Sequence, residues 1–359
     1  MGKRISQSKI AQELGVSQSL VSIVLNGRKE GIAENTYKRI WDFALEHGYS
    51  PKGMKLPPNS QETPPVKTVG YILRAPLRLA NKSNFFSHVT QGLHDYLREQ
   101  KVNMVFLGSE MDFKPKELHK ISWQREQLHG IVIMGQVAPS FLSALRELGK
   151  PLVYISARSP GICHSVNANE YQSAEQLVNH FYELGHRHFA YFGGMRSHSR
   201  YEERLTALSM ALKRHDLSLP EAAIFSDDEA ERREGYMMAE KLLNAPLDPF
   251  PTAWICVNGL TARGALSRLL TAGLRLGEDV SVGAFDNTRV CSEELPGITS
   301  ASAIPEDLGR EAGRIVLDPS LHGGDSLLDV VLPSRFYPRE SSGPVPEKRS
   351  RSSESLSVS

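Results

Sequence analysis

The 359-residue sequence predicts an all-α helix-turn-helix headpiece joined to an α/β body of two doubly wound subdomains. Three observations lead there. Residues 5–26, ISQSKIAQELGVSQSLVSIVLN, hold two short runs with apolar residues at helical spacing on either side of a Gly-Val-Ser turn. Residues 51–67 carry five prolines in polar filler, the composition of a semi-extended linker. From Thr68 onward, short apolar runs alternate with helical stretches in two successive series, the pattern of parallel sheets with crossover helices.

The first helix begins where the Ser6 hydroxyl can cap it, places Ile10, Ala11 and Leu14 on one face, and ends at Gly15. Ser17 caps the second, whose inner side carries Val21, Val24 and Leu25. That phase leaves Gln18, Ser19, Ser22 and Ile23 outward, short side chains of the kind the DNA major groove admits. A third helix follows Ala33-Glu34-Asn35-Thr36, with Tyr37, Ile40, Trp41, Ala44 and Leu45 apolar, and closes at His47-Gly48. Residues 1–56 contain nine Lys and Arg against five acids, a balance of +4 in a chain whose net charge is +1. Positive charge is therefore concentrated where phosphates would be met. A helical bundle that binds protein is the alternative that this pattern leaves open.

In the body, residues 68–73, 103–108, 130–135 and 151–156 read as strands, with helices over 86–100, 115–127 and 140–148. The second series places strands at 188–194, 222–225, 252–258 and 280–287, and helices at 170–184, 201–215, 231–243 and 261–272. Domain boundaries follow: headpiece 1–50, linker 51–67, body 68–340, and a disordered tail 341–359 with little to bury.

Composition excludes several classes. Hydrophobic residues make up 40% and charged residues 23%, ordinary for a soluble globular protein. Cys163, Cys256 and Cys291 form no C-x-x-C pair and read as reduced thiols. There is no secretory signal and no apolar run long enough to cross a bilayer, so a cytoplasmic location and no membrane partner are expected. His186 and His188 lack a third ligand at metal-like spacing, and Asp227 to Glu231 read as the exposed start of a helix. With no G-x-x-x-x-G-K, G-x-S-x-G or H-E-x-x-H, neither catalytic residues, nor a metal, nor a cofactor is expected.

A family becomes recognisable in A-x-x-x-G-V-S at Ala11 to Ser17, V-S-x-V-L-N-G at Val21 to Gly27 and G-Y-x-P at Gly48 to Pro51. These motifs resemble the headpiece of the LacI/GalR regulators. VNANEYQSAEQLVNHFYELGHRHFAYFGG, RLTALSMAL, DVSVGAFDN, LGREAG and PRESS extend the resemblance over roughly residues 5–341. It implies a periplasmic-binding-protein-like body whose two subdomains enclose a ligand cleft, with chain crossings near Asn167, Leu295 and His322. It also implies a homodimer on double-stranded operator DNA and a small-molecule effector, a sugar being the favoured class.

By phase and resemblance together, Ser17, Gln18, Ser19, Ser22 and Ile23 face DNA, and Ser6 and Asn26 complete the set. Ile23 stands where the family most often has arginine, so a contact with a thymine methyl is expected; packing on the neighbouring helix is the alternative. The family presses a hinge-helix leucine into the minor groove, which makes Met54 and Leu56 candidates, although Gly53, Pro57 and Pro58 oppose a helix there. For the ligand, Phe85 and Phe86 match the pocket's aromatic pair and Arg204 its ligand-binding arginine, while Asn258 and Asp286 match polar contacts and Ser156 stands at a strand end. Each could instead be structural, Arg204 by bridging to Glu203 or Asp286. Two departures stand out: Gly259 follows Asn258 where the family has aspartate, and Ala230 replaces an aromatic. The reading is a ligand-controlled repressor. A regulator answering to a protein partner or to no ligand, and a cytoplasmic sugar-binding module or enzyme with a vestigial headpiece, are the alternatives.

Overall fold

The structure, a computed structural model, describes residues 6–26, 28, 31–47, 67–74, 84–113, 128–322 and 326–346. The chain divides into two units, Met1–Pro65 and Val66–Ser359. Met54 and Leu56, with the rest of the linker up to residue 66, the expected helix over 115–127 and residues 347–359 lie outside the described residues.

In the first unit, α1 (Gln7–Leu14), α2 (Gln18–Leu25) and α3 (Glu34–Glu46) surround one small core. Ser6 and Ser17 cap α1 and α2 through their hydroxyls, accepting from Lys9 N at 3.3 Å and Leu20 N at 3.2 Å. Gly15 ends α1 with φ 64°, a conformation that a β-carbon would strain. Ile10, Ala11, Val21, Val24, Leu25, Tyr37, Ile40, Trp41 and Ala44 fill the interior. Arg39 of α3 donates to the Leu14 carbonyl at 2.6 Å, satisfying an acceptor that the end of α1 leaves open.

The body holds two six-stranded sheets. Lobe 1 contains β1 (Thr68–Leu73), α4 (Asn84–Glu99), β2 (Asn103–Ser109), β3 (Leu128–Met134), α5 (Pro139–Arg146), β4 (Leu152–Ile155) and β5 (His164–Ala168). Lobe 2 contains α6 (Glu170–Glu183), β6 (Phe189–Phe192), α7 (Ser199–Lys213), β7 (Ile224–Phe225), α8 (Arg232–Asn244), β8 (Ala253–Cys256), α9 (Gly259–Thr271), β9 (Ser281–Ala284), α10 (Arg289–Ser292) and β10 (Thr299–Ser302). The chain then returns to lobe 1 for α11 (Pro305–Leu317) and β11 (Asp329–Leu332), and ends in lobe 2 with β12 (Arg335–Tyr337). Strand order is β11-β5-β4-β3-β1-β2, all parallel, in lobe 1. In lobe 2 it is β12-β10-β9-β8-β6-β7, where β12 alone runs antiparallel.

Alternation along the strands sends side chains to opposite faces, so each sheet has a core on both. Val69, Val132, Val153 and Val166 meet Val89, Leu93, Leu308 and Ile315 of α4 and α11, while Ile72, Ile131 and Tyr154 face α5. In lobe 2, Tyr191, Ile255 and Phe285 meet Leu177, Phe181 and Leu208 of α6 and α7, while Phe192, Trp254 and Val282 meet Met238 and Leu269 of α8 and α9. Glycines let one helix pair per lobe touch backbone to backbone. A β-carbon on Gly92 would overlap the Glu306 carbonyl and one on Gly309 the Val89 carbonyl; Gly235 and Gly264 do the same for α8 and α9.

The crossings depart from expectation in two places. The first falls at Asn169, beside the expected Asn167. The second lies at Ala303-Ile304, not at Leu295, because β10 still belongs to the lobe 2 sheet; the third lies at Pro333-Ser334, not at His322, because β11 still pairs with β5. His322 stays in lobe 1, where Nε2 lies 3.0 Å from the Val316 carbonyl.

Candidate functional site

On α2 of the headpiece, Gln18, Ser19 and Ile23 are exposed and Ser22 is half-buried, while Val21, Val24 and Leu25 sit in the core. Ile23 is 41% exposed, so it is not packed away on a neighbouring helix. Ser6, Ser17 and Asn26 are also exposed. The two capping hydroxyls are already acceptors, and Ser17 Oγ lies 3.0 Å from Ser19 Oγ, which organises the first turn. Lys9, Arg28 and Lys38 add exposed positive charge to the same unit.

In the body, the carboxyl ends of β1, β3, β6, β8 and β9 open into a cleft of ≈300 Å³ between the lobes. Phe85, Phe86, Arg204, Asn258 and Asp286 line it. Ser156 does not: it turns at the end of β4 with φ 62°, is 3% exposed, and donates its N–H to the Val166 carbonyl at 3.0 Å. Its place is against the sheet.

The polar lining is heavily engaged by the protein itself. Asn258 caps α9, its Oδ1 accepting from Thr261 N and its Nδ2 donating to the Ala230 carbonyl, both at 2.8 Å. Asp286 Oδ1 accepts the Gly259 N–H at 2.8 Å, and the Cys291 thiol reaches the Asp286 carbonyl at 3.3 Å. A β-carbon at residue 259 would run into Cys291 Sγ, which is why glycine stands there. Burial pushes the Asp286 carboxyl above the usual carboxylate range, although Arg204 and the Gly259 N–H pull the other way.

Arg204 is tied down rather than open. It donates to Glu170 Oε1 at 2.9 Å, to the Phe285 carbonyl at 3.4 Å and to the Val257 carbonyl. The partner is thus Glu170 at the start of α6; Glu203 pairs instead with Arg158 at 2.9 Å. Glu170 is 3% exposed and also receives Arg200 at 3.1 Å. Burial alone would raise its carboxyl, but Arg204 and Arg200 together hold it below the usual range. Arg200 has the opposite balance: burial, then the charge of Arg204, push its guanidinium down.

Several cleft residues escaped the sequence reading. Arg74 follows β1, with Nη1 2.8 Å from His198 Nε2. Burial and that arginine lower His198 to about 4, which keeps its ring neutral. Gln136 Oε1 of lobe 1 accepts Ser199 N at 2.9 Å, capping α7 across the cleft. Asp228, Glu229 and Glu231 line the cleft too, so the acidic run is more than an exposed helix start. Arg200 sits one helical turn before Arg204, a spacing that could have flagged it; Glu170 and Gln136 carried no local signal.

Fold and site together define a class: a two-lobed binding body of periplasmic-protein type carrying a helix-turn-helix unit at its N-terminus. The model of a periplasmic binding protein-like domain matches residues 178–342. The chain is 25% identical to the HTH-type transcriptional repressor PurR of Aliivibrio fischeri (strain MJ11) over 316 residues, 86% of this chain and 90% of that one. It is 26% identical to catabolite control protein A of Staphylococcus xylosus over 332 residues, 91% of this chain and 96% of the other. Among solved structures, the lac repressor dimer bound to operator and the anti-inducer ONPF superposes with a TM-score of 0.69 at 20% identity, covering 95% and 100% of the two chains. A transcriptional regulator CelR–cellobiose complex does so at 0.67 and 22%, covering 94% and 100%. Over most of its length the chain is thus similar to repressors of the lac-repressor type, and residues 178–342 to a periplasmic binding protein-like domain.

Proposed function

We propose that this protein is a sequence-specific transcription regulator, a repressor, that holds operator DNA through the headpieces of a homodimer and answers to a small ligand in the inter-lobe cleft. It is a cytoplasmic binding protein and not an enzyme. Among the described residues no helix is long and apolar enough to cross a membrane. The observation that carries the reading is the division of α2, with one face in the three-helix core and Gln18, Ser19 and Ile23 exposed on the other. Such a helix enters the major groove with its first turns toward the base edges, and two of them give the contacts that one headpiece lacks. A sugar is the first ligand class to try, given the cellobiose and ribose bound by fold neighbours.

The control is one of differential affinity. Ligand in the cleft favours one relation of the lobes, and DNA affinity changes only if the two relations differ in DNA affinity. A regulator without a ligand is the second reading, favoured by the contacts that already join the lobes at Arg74–His198 and Gln136–Ser199. Selection from random duplex DNA, followed by fluorescence anisotropy at several salt concentrations, tests the proposal. Expected is one preferred near-palindromic site bound at least about a thousandfold better than competitor DNA. Binding that depends on salt alone, with no preferred site, overturns it.

A further inference from the structure

Which atoms of the cleft still lack partners narrows the chemistry of its occupant. Two acceptor atoms there are occupied: Asn258 Oδ1 by Thr261 N–H, and Asp286 Oδ1 by Gly259 N–H, with Cys291 Sγ 3.5 Å away. Several donors are not. Tyr201 Oη and Arg204 Nε have no hydrogen-bond partner, although each residue is only 5% exposed and lines the cleft. Arg200 gives Nη2 to Glu170 and rests 5.0 Å from the centre of the Phe85 ring; among the described residues its Nε and Nη1 have no partner. On the opposite wall, the described partner of Arg74 is a neutral imidazole, a weaker acceptor than any anion.

Charge runs the same way. One buried carboxylate, Glu170, serves two guanidiniums, Arg200 and Arg204, through Oε1, while burial pushes the Asp286 carboxyl above the usual carboxylate range against the pull of Arg204. The acids that act on Arg74 are Glu110 of lobe 1, whose Oε1 already accepts the Ala138 N–H at 2.8 Å, and Glu229, which like Asp228 is exposed on the loop before α8 and screened by water. Leaving these guanidinium and phenol donors unpaired when a ligand buries them is costly. An acceptor-only group would satisfy the donors instead.

We propose that the cleft takes a ligand bearing an oxyanion, a carboxylate or phosphate of the kind carried by sugar acids and sugar phosphates, held by Arg200 from lobe 2 and Arg74 from lobe 1. The proposal rests on the reading of this cleft as the effector site. It assigns ligand recognition to Arg200, while Arg204 positions Glu170 and the ends of β8 and β9. An anion between the two arginines bridges the lobes, so its binding energy favours their closed relation.

Thermal-shift and calorimetric titrations of the full-length chain test it, with glucose, glucuronate, glucose 6-phosphate and inorganic phosphate as probes. Glucuronate or glucose 6-phosphate raises the unfolding midpoint where glucose at equal concentration does not, and whichever binds tighter identifies the anion. Arg200→Gln and the rim variant Arg74→Gln each weaken that binding about tenfold or more. Because Arg74 makes no bond to Glu170, its variant keeps the test valid if Arg200→Gln fails to fold. Stabilisation by glucose but by neither anion overturns the oxyanion assignment and leaves the effector site standing. Equal binding of anion by wild type and both variants, as inorganic phosphate on the headpiece would give, overturns it as well. No binding of either anion also overturns it, and the operator selection above decides the regulator reading separately.

Discussion

Ile23 places a branched apolar side chain, 41% exposed, among polar neighbours on the outward face of α2. An aliphatic group cannot donate to guanine, but it packs against a thymine methyl. Ile23→Arg is therefore expected to move base preference at one position of each half-site toward guanine, at about 1–3 kcal/mol of discrimination. Repeating the selection with the variant checks this; an unchanged preferred site would refute the base contact. At this scale, the sequence speaks clearly where chemistry is local. Ser6 and Ser17 were legible as caps because a hydroxyl three residues ahead of an unsatisfied N–H is a local arrangement. Glu170 was not, since its partners lie 30 and 34 residues away on another helix. Ser156 misled for the same reason: its position at a strand end was visible, while the left-handed turn that takes it out of the cleft was not.

Among the elements, the helices that pair through glycine carry a sharp expectation. Gly309 of α11 abuts the Val89 carbonyl of α4, and no flexible side chain lies between that could move aside. Gly309→Ala must part the two helices or shift one along the other, at a cost of about 1–3 kcal/mol. Urea unfolding of the body measures this, and an unchanged midpoint would show that the helices slide without penalty. The same elements show why part of the fold escaped sequence reading. Strands such as TVGYIL are continuous apolar runs, but β5 and β10 read HSVNA and TSAS. Their polar side chains are buried because they find partners inside: Ser165 donates to Asp329 at 2.6 Å, and the Thr299 hydroxyl to the Arg339 carbonyl at 3.1 Å. Hydropathy cannot announce a strand whose burial depends on residues far along the chain. With β5, β10 and α11 unseen, two of the three crossings were placed in the wrong loops.

For the molecule as a whole, side-chain contacts across the cleft join the two lobes, and one of them rests on a histidine. Arg158 reaches from lobe 1 to Glu203 at 2.9 Å, Gln136 to Ser199, and Arg74 to His198. His198 titrates near 4 in the folded chain against 6.5 for the free side chain. Protons are therefore taken up by the unfolded chain first as pH falls below 6.5. This contribution to stability is complete above that value and shrinks as the pH drops toward 4. Replacing His198 by glutamine should flatten the fall in thermal midpoint across that window; identical pH profiles for wild type and H198Q would remove the imidazole from the account. The broad architecture, a small basic trihelical unit ahead of two doubly wound layers, was legible from periodicity and local charge. The inter-lobe contacts were not, because they join residues whose neighbourhood exists only after both sheets have formed.

One of those contacts has a further effect. The first turn of α7 borrows its cap from the opposite lobe, since His198 supplies no side-chain cap of its own and Gln136 provides the oxygen. Separating the lobes thus strips an amide of its acceptor and frays the turn that carries Arg200. Rigid-body swing and local melting become one event, visible as amide exchange at Ser199 that quickens whenever the jaws part.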